Sequence, residues 1–489
     1  MELMIPLNNQ NERPLYEQIY QYIKDEIRNG NLKPSRQLPS SRELAKSLKV
    51  SRSTTQLAYE QLVSEGYLEA VPRKGYFTAR IDGILPPVSG GQNSLRQSFT
   101  GQNIQSKSFS GQAAGEMFSV PADMEGRIAV DFSPRGIDLK SFPFSTWRKI
   151  SRSVLKEEDT DVFLKGDPQG DLPLREAIRD YLHAARGVNC TADQIIVGAG
   201  NEYLLMLLSL LLTDSAGIAM ENPTYKQAYR VLTGMGHQMF PVGMDKSGFQ
   251  VSELYGLPAS AAYVMPSHQF PMGIVMPVKR RQELLAWAGE KPGRYLIEDD
   301  YDSEFRYKGK PIPALQGMDR KGCVIYMGTF SKAIAPAIRV GYLVLPQTLL
   351  EKYLEKARFY SSTVSRVDQR ILARFITGGY FERHLNRMRE IYKGKHDALL
   401  SALRPLDEKF EIGGEFAGLH VLLKYRGEMT EEELVKTAAR VGVRVYGLSG
   451  FFIDNRNTES SKTVILGYAS LQEEEILKGA GLLMDAFLE

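Results

Sequence analysis

The stretch from Gly293 to Tyr342 constrains the fold more than any other, because RYLIEDDYDSEF is followed there by VIYMGTFSKAIAPAIRVGYLVLP. Tyr295 to Ile297 and Val324 to Met327 are short apolar runs that read as buried strands, and each leads into polar residues that a core cannot hold. In an open α/β sheet, ligands bind beyond the carboxyl ends of parallel strands. The first strand then brings Asp299, Asp300 and Tyr301 to the mouth of the sheet, and the second brings Thr329, Ser331 and Lys332. From about Ile128 onward, apolar strands alternate with amphipathic helices, so the fold class is α/β with a mostly parallel sheet. The most apolar run, Tyr203 to Leu212, has about half the length of a membrane span and reads as a buried helix.

A lysine that is partly desolvated and close to other cations loses its proton readily and attacks a carbonyl as a Schiff-base amine. Pyridoxal phosphate requires such a lysine and a carboxylate on its pyridinium nitrogen. An isolated Ser-Lys pair after a strand is ordinarily solvated surface. Here an acid and a phenol precede it on the neighbouring strand, and Arg339 follows Lys332 seven residues on. That order resembles the pyridoxal-phosphate signature of class I, fold-type I aminotransferases. Further segments share the resemblance: GDPQGDLPLREAIRDYL, the turn GAGNEYLLMLL after the strand Gln194 to Gly198, and IAMENPTYKQAY. A glycine turn opening a helix offers backbone N–H groups to a phosphate.

The resemblance implies roles residue by residue. Lys332 forms the internal aldimine and is the catalytic residue, Asp299 pairs with the pyridinium nitrogen (Asp300 if the register slips by one), Tyr301 bonds the phenolic oxygen and Tyr225 stacks on the ring. Ala199, Gly200 and Asn201 form the phosphate cradle together with Thr329, Ser331 and Arg339. VMPSHQFPMG departs from the family's HNPTG turn, placing Phe270 where an asparagine is expected, with His268 or Gln269 as substitutes.

The first 80 residues have a different character. They hold 12 Lys+Arg against 9 Asp+Glu, which accounts for the whole net charge of +3 and points to an anionic partner. Pro14 opens a helix with Leu15, Ile19, Ile23 and Ile27 on one face, and Gly30 stops it. Ser40 with Glu43 forms a capping box for a second helix, and Ser51 caps a third whose buried positions are read as Leu57, Ala58 or Tyr59, Leu62 and Val63. Two short helices joined by a tight turn are a helix-turn-helix, and YLEAVPRKGYFTAR reads as a two-stranded wing. PLYEQI, LPSSRELAKSLKVSRSTTQLAYEQLVSEGYL and RKGYF resemble the GntR-type winged helix. That resemblance implies that Arg42 and Arg52 contact phosphate or guanine and that Ser53, Thr54, Thr55 and Gln56 read base edges. Arg73, Lys74 and Gly75 form a basic wing tip suited to the phosphates or a minor groove of double-stranded DNA, with Lys74 implied to touch the backbone.

Between the two halves, Gly83 to Gly115 holds no Asp or Glu and is rich in Gly, Ser and Gln, a composition that reads as a tether. The expected division is residues 1–81 for the DNA-binding head, 82–127 for a flexible linker and 128–489 for the effector body. Two distant cysteines, Cys190 and Cys323, indicate neither a disulfide framework nor a metal site, and the N-terminus lacks a secretory signal, so a cytoplasmic protein without a membrane segment is expected.

Over nearly its full length the chain resembles the MocR/GabR-type regulators, a GntR winged helix fused to an aminotransferase-like domain, through PSHQFP, IEDDYDSEF and MGTFSK. The resemblance implies a homodimer whose heads can cross to the partner's body. It also implies a regulator that senses a small amino compound, or the cofactor itself, by aldimine exchange at Lys332. The alternative is a working aminotransferase with an accessory DNA-binding head. GabR-like chains carry arginines where this one has Gln227 and Gly450, so the effector is not expected to be a simple amino acid, and Arg444 or Arg456 is a candidate substitute.

Overall fold

The computed structural model describes residues 5–8, 13–71, 74–80, 127–156, 160–213, 216–307, 312–414, 417–454 and 461–488. The expected linker, apart from Arg127, and the candidates Arg73 and Arg456 lie outside the described residues.

The head begins with α1 (Leu15–Arg28), where Ile19, Tyr20, Ile23 and Ile27 fall on one buried face. Helix α2 (Ser41–Leu48) starts at Ser40 with both halves of its capping box formed, and α3 (Arg52–Ser64) starts at Ser51, whose hydroxyl accepts from the Thr54 N–H. Ala58, Tyr59 and Leu62 of α3 close the small core, whereas Leu57, expected inside, is 39% exposed. The wing is β1 (Leu68–Val71) paired antiparallel with β2 (Gly75–Thr78), leaving Lys74 exposed at the turn.

Among the described residues the body holds a seven-stranded sheet. Its strands are β3 (Ile195–Gly198), β4 (Ile218–Glu221), β5 (Met239–Val242), β6 (Ala261–Val264), β7 (Tyr295–Asp300), β8 (Val324–Thr329) and β9 (Gly341–Val344), in the spatial order β3-β9-β8-β7-β6-β4-β5. The pairs β8-β7, β7-β6, β6-β4 and β4-β5 are parallel, and β9 runs antiparallel to both of its neighbours. Every residue of β7 and β8 is buried, so both strands are covered on two faces, as parallel strands require. Helices α4 (Asn201–Leu211), α5 (Lys226–Gly234) and α6 (Val278–Gly289) belong to this layer. Among the described residues no helix is long and apolar enough to cross a membrane.

A smaller subdomain follows. His420–Tyr425 pairs antiparallel with Phe410–Gly413 and Thr463–Gly467, and Tyr446–Gly447 extends the sheet. Val130–Asp131 pairs in parallel with Val443–Arg444, so the chain entering the body joins this subdomain first and then passes Pro134 and Arg135 over the carboxyl ends of the large sheet.

The head is seated on the body. The Val278 N–H at the start of α6 donates to the Glu65 carbonyl (3.0 Å), and the Arg306 guanidinium donates to the Ser64 hydroxyl (2.5 Å). Val278 packs into the head's own hydrophobic core. Gly66, at φ +76°, lies so close that an added Cβ would stand 2.8 Å from the Pro277 Cβ. Both its conformation and that approach call for glycine.

Candidate functional site

A cavity of about 670 Å³ opens at the carboxyl ends of β7 and β8, a size suited to a cofactor-bearing site. It is lined by Asn201, Tyr225, Asp299, Tyr301, Thr329, Ser331, Lys332 and Arg339, which sequence reasoning had assigned to one place.

Alternation along β7 separates its two acids. Asp299 faces the cavity; one carboxylate oxygen accepts from the Tyr263 hydroxyl and the other has no hydrogen-bond partner. Burial pushes its pKa up to about 7, with Asp300 and Asp302 adding to the rise against the Tyr263 hydrogen bond. Asp300 points to the opposite face, where Arg186 (2.8 Å) and the Tyr326 hydroxyl (2.5 Å) hold it. The alternative in which Asp300 serves the cavity is thereby corrected, because its carboxylate is committed to a buried ion pair.

Lys332 follows β8 and donates to the main-chain carbonyls of Arg135 (2.9 Å) and Pro134 (3.4 Å). Burial lowers its pKa to about 8, Arg135 lowers it further and Asp302 opposes. The Ser331 N–H is bonded to the Thr329 hydroxyl, which also bonds the Ser331 hydroxyl, both at 3.1 Å. Tyr301 holds its hydroxyl 3.0 Å from Nδ1 of His268, whose ring also meets Asp302 (3.0 and 3.1 Å). Tyr225 stands at the N-terminus of α5, half-buried, edge-on to Phe270.

At the opposite wall, Arg339 adopts φ +50° and pairs with Glu202 (2.7 Å) in the first turn of α4. Burial alone would raise Glu202, but the hydrogen bond and charge of Arg339 hold it below the ordinary range. Gly200, at φ +87°, leaves the room that Arg339 fills, since a Cβ there would lie 2.7 Å from a guanidinium nitrogen. Asn201 presents a buried amide oxygen without a partner. Ala199 departs from the expected cradle, because its N–H already donates to the Thr363 hydroxyl (3.0 Å). Gln269 is likewise engaged away from the cavity, donating to Glu221 and the Pro223 carbonyl and accepting from the Met272 N–H.

Sequence reasoning missed Tyr263, Glu202, Asp302 and the main chain at Arg135. Tyr263 was legible in principle: it is a phenol inside an apolar strand, paired with Ile297 and so one pleat repeat before Asp299 on the same face.

On the head, Arg42, Arg52, Ser53, Gln56 and Lys74 are exposed and Thr54 is half-exposed, while Gly75 begins the return strand of the wing. Thr55 corrects the expectation: it is fully buried, its hydroxyl bonding the carbonyls of Ser41 (2.7 Å) and Arg52 (3.0 Å), so it ties α2 to α3 and cannot reach a base. Thr55→Val is therefore expected to cost the head about 1 to 3 kcal/mol with base preference unchanged. Arg52→Ala should weaken operator binding by about 1 to 3 kcal/mol with stability unchanged. Thermal melts and salt-dependent DNA titrations of both variants check the pair, and an unweakened operator complex in Arg52→Ala would remove that residue from the interface.

Residues 138–460 match the family described as aminotransferase class I and II, and residues 15–78 match the bacterial regulatory proteins, gntR family. The HTH-type transcriptional regulator YhdI of Bacillus subtilis is 37% identical, with 100% of this chain and 98% of that one aligned. The probable rhizopine catabolism regulatory protein MocR of Rhizobium meliloti is 32% identical, with 99% and 96% aligned. Among solved structures, the kynurenine aminotransferase of Pyrococcus horikoshii, in complex with PMP, matches with a TM-score of 0.65 at 25% identity, covering 74% of this chain and 90% of that one.

Fold and cavity thus define a DNA-binding winged helix joined to a fold-type I aminotransferase body. Within that class, the chain belongs to the MocR-type transcriptional regulators, and its cofactor is pyridoxal 5'-phosphate. The residues present fit that group: a depressed amine at Lys332 and a buried carboxylate oxygen on Asp299 without a partner face one cavity, and Asn201 with Arg339 face it from the wall where a helix begins.

Proposed function

We propose that Lys332 carries the cofactor covalently and that an amino compound, or the free cofactor itself, sets operator binding by competing for that position. The reading is carried by one observation: the Lys332 amine and the unpartnered oxygen of Asp299 face the same cavity. When bound, the cofactor supplies an aldehyde that amines can take and a ring that draws electrons from them. Asp299 holds the ring nitrogen, Tyr225 covers the ring, Tyr301 bonds the phenolic oxygen, and Thr329, Ser331, Arg339 and the α4 N-terminus at Gly200 and Asn201 hold the phosphate. For Arg339 this means exchanging Glu202 for a phosphate, a stronger bidentate partner.

Arg135, Lys226, Arg230 and Arg444 line the cavity together with Gln227 and Gly450, which supports an effector amine that also bears an anionic group. Large apolar side chains that stand more than half exposed, Leu139, Phe144, Leu155, Phe163, Leu164 and Phe359 among them, support a second copy of the chain covering them, with heads on their own or the partner's body. Its place of action is the cytoplasm, with the operator DNA.

Titration of the full chain onto the DNA upstream of its own gene, with and without pyridoxal phosphate and a panel of amines, tests the reading. A change in operator affinity of about 5- to 150-fold is expected, the usual size of coupling between two sites. Superimposable isotherms under all conditions would reject it.

A further inference from the structure

We infer that the face formed by Pro277, Val278 and Arg306 is a built docking surface for the DNA-reading head, and that its hold on the head is set from the cofactor cavity through the run Asp299 to Arg306. This rests on the sensing role proposed above and names the contact through which it acts.

The head side of the contact is rigid. Glu65 is buried, its carboxylate bonded by Tyr20 (2.8 and 2.9 Å), Lys24 (3.0 Å) and Gln61, which leaves its carbonyl for the Val278 N–H. Ser64 donates to the Gln61 carbonyl (2.8 Å) and accepts from Arg306. Gly66 abuts Pro277 with no room for a methyl group. On the body side, Arg306 is only 9% exposed; burial is the main influence on its charge, and the head's Glu65 offsets it from across the contact. A guanidinium this far withdrawn from water is held best when that acid is in place.

The same short run of chain reaches the cavity. Asp299, Tyr301 and Asp302 line it, and Tyr301 and Asp302 share His268. Phe305 then donates to the Asp302 carbonyl (3.0 Å) and accepts from the Gly418 N–H (2.8 Å), and Arg306 bridges to Ala417. A space of about 10 Å³, room for roughly one water, lies among His268, Asp302, Arg186 and Arg306. With both ends pinned and one tight turn between them, a new partner for the Tyr301 hydroxyl re-aims Asp302 and displaces Arg306 against Ser64. Docking leaves the reading end of α3 free, since Arg52, Ser53 and Gln56 lie in the N-terminal half of the helix, about 12 to 18 Å along its axis from Ser64. The contact therefore fixes the angle at which the head meets DNA and does not mask it.

The test uses the full chain with Arg306→Ala on the body and Ser64→Ala on the head. Cofactor loading, read by absorbance, should stay at the wild-type level in both, while the ratio of operator affinities with and without pyridoxal phosphate should fall about tenfold or collapse to one. Ser64→Ala removes a single hydroxyl and keeps the test valid if the arginine variant folds poorly. A wild-type affinity ratio in both variants would overturn the coupling and leave the sensing reading standing. A ratio of one in the wild-type protein itself would overturn both.

Discussion

Replacing Lys332 with alanine is expected to remove the visible absorption of the covalently held cofactor and to abolish every response of operator binding to amines, while cofactor-free DNA affinity stays within about twofold. The Lys332 amine faces the same cavity as the unpartnered oxygen of Asp299, and its surroundings prepare it to form a bond to the cofactor's aldehyde. With its pKa lowered to about 8 by burial and by Arg135, roughly a quarter of Lys332 is neutral at pH 7.5, against about one part in a thousand at the ordinary lysine value. Cofactor attachment should accordingly accelerate as pH rises towards 8. Loss of the amine should not unfold the chain: a lysine whose folded pKa lies below its unfolded value costs stability at neutral pH, so alanine should match or exceed the wild-type denaturation midpoint. Spectral titration, denaturant unfolding and DNA binding on one preparation check all three parts. A Lys332→Ala protein with the wild-type spectrum and an intact amine response would sink the covalent reading.

Most of the scaffold was legible because local rules decide it. Four-residue apolar spacing placed α1, the Ser40–Glu43 capping box started α2, and the apolar runs at 295 and 324 became the two central strands of the large sheet. What could not be read were partners distant in the chain. Whether Asp299 or Asp300 faces the cavity depends on Arg186, more than a hundred residues earlier, which takes Asp300 into an ion pair. Ala199 looked like part of an anion cradle until Thr363, far downstream, accepted its N–H. Thr55 sits among base-reading neighbours in sequence, yet the hundred-degree step of a helix turns it inward onto Ser41. The seat of the head on the body had no local signal at all: Val278 reads as an ordinary helix start and Arg306 as a surface charge. Periodicity reports which face is buried, and only the folded chain reports against what.

Asp299→Asn should move stability and cofactor affinity in opposite directions. In the cofactor-free protein this carboxyl has its pKa raised from 3.8 to about 7, chiefly by burial. The folded state therefore holds a proton that the unfolded state releases. The stability it permits is complete below about pH 4 and is lost as pH rises through 7. Asparagine keeps the shape, still accepts from Tyr263 and never ionises, so the variant should be more stable by about 1 to 3 kcal/mol at pH 8 and equal to wild type near pH 4. The neighbouring acids Glu221, Glu298 and Glu304 are raised too, to about 8, 7 and 7, but they are common to both proteins and largely cancel in the difference. The cofactor reverses the balance. In the proposed reading the unpartnered oxygen of Asp299 would hold the ring nitrogen as a buried charge pair, and truncating one member of such a pair costs at least about 2 kcal/mol, or roughly 30-fold in affinity. Denaturant unfolding at pH 4 and pH 8 and a cofactor titration followed by absorbance measure the two effects on the same variant. Equal stabilities at pH 8 together with unchanged cofactor affinity would mean that Asp299 neither pays for its burial nor meets the ring.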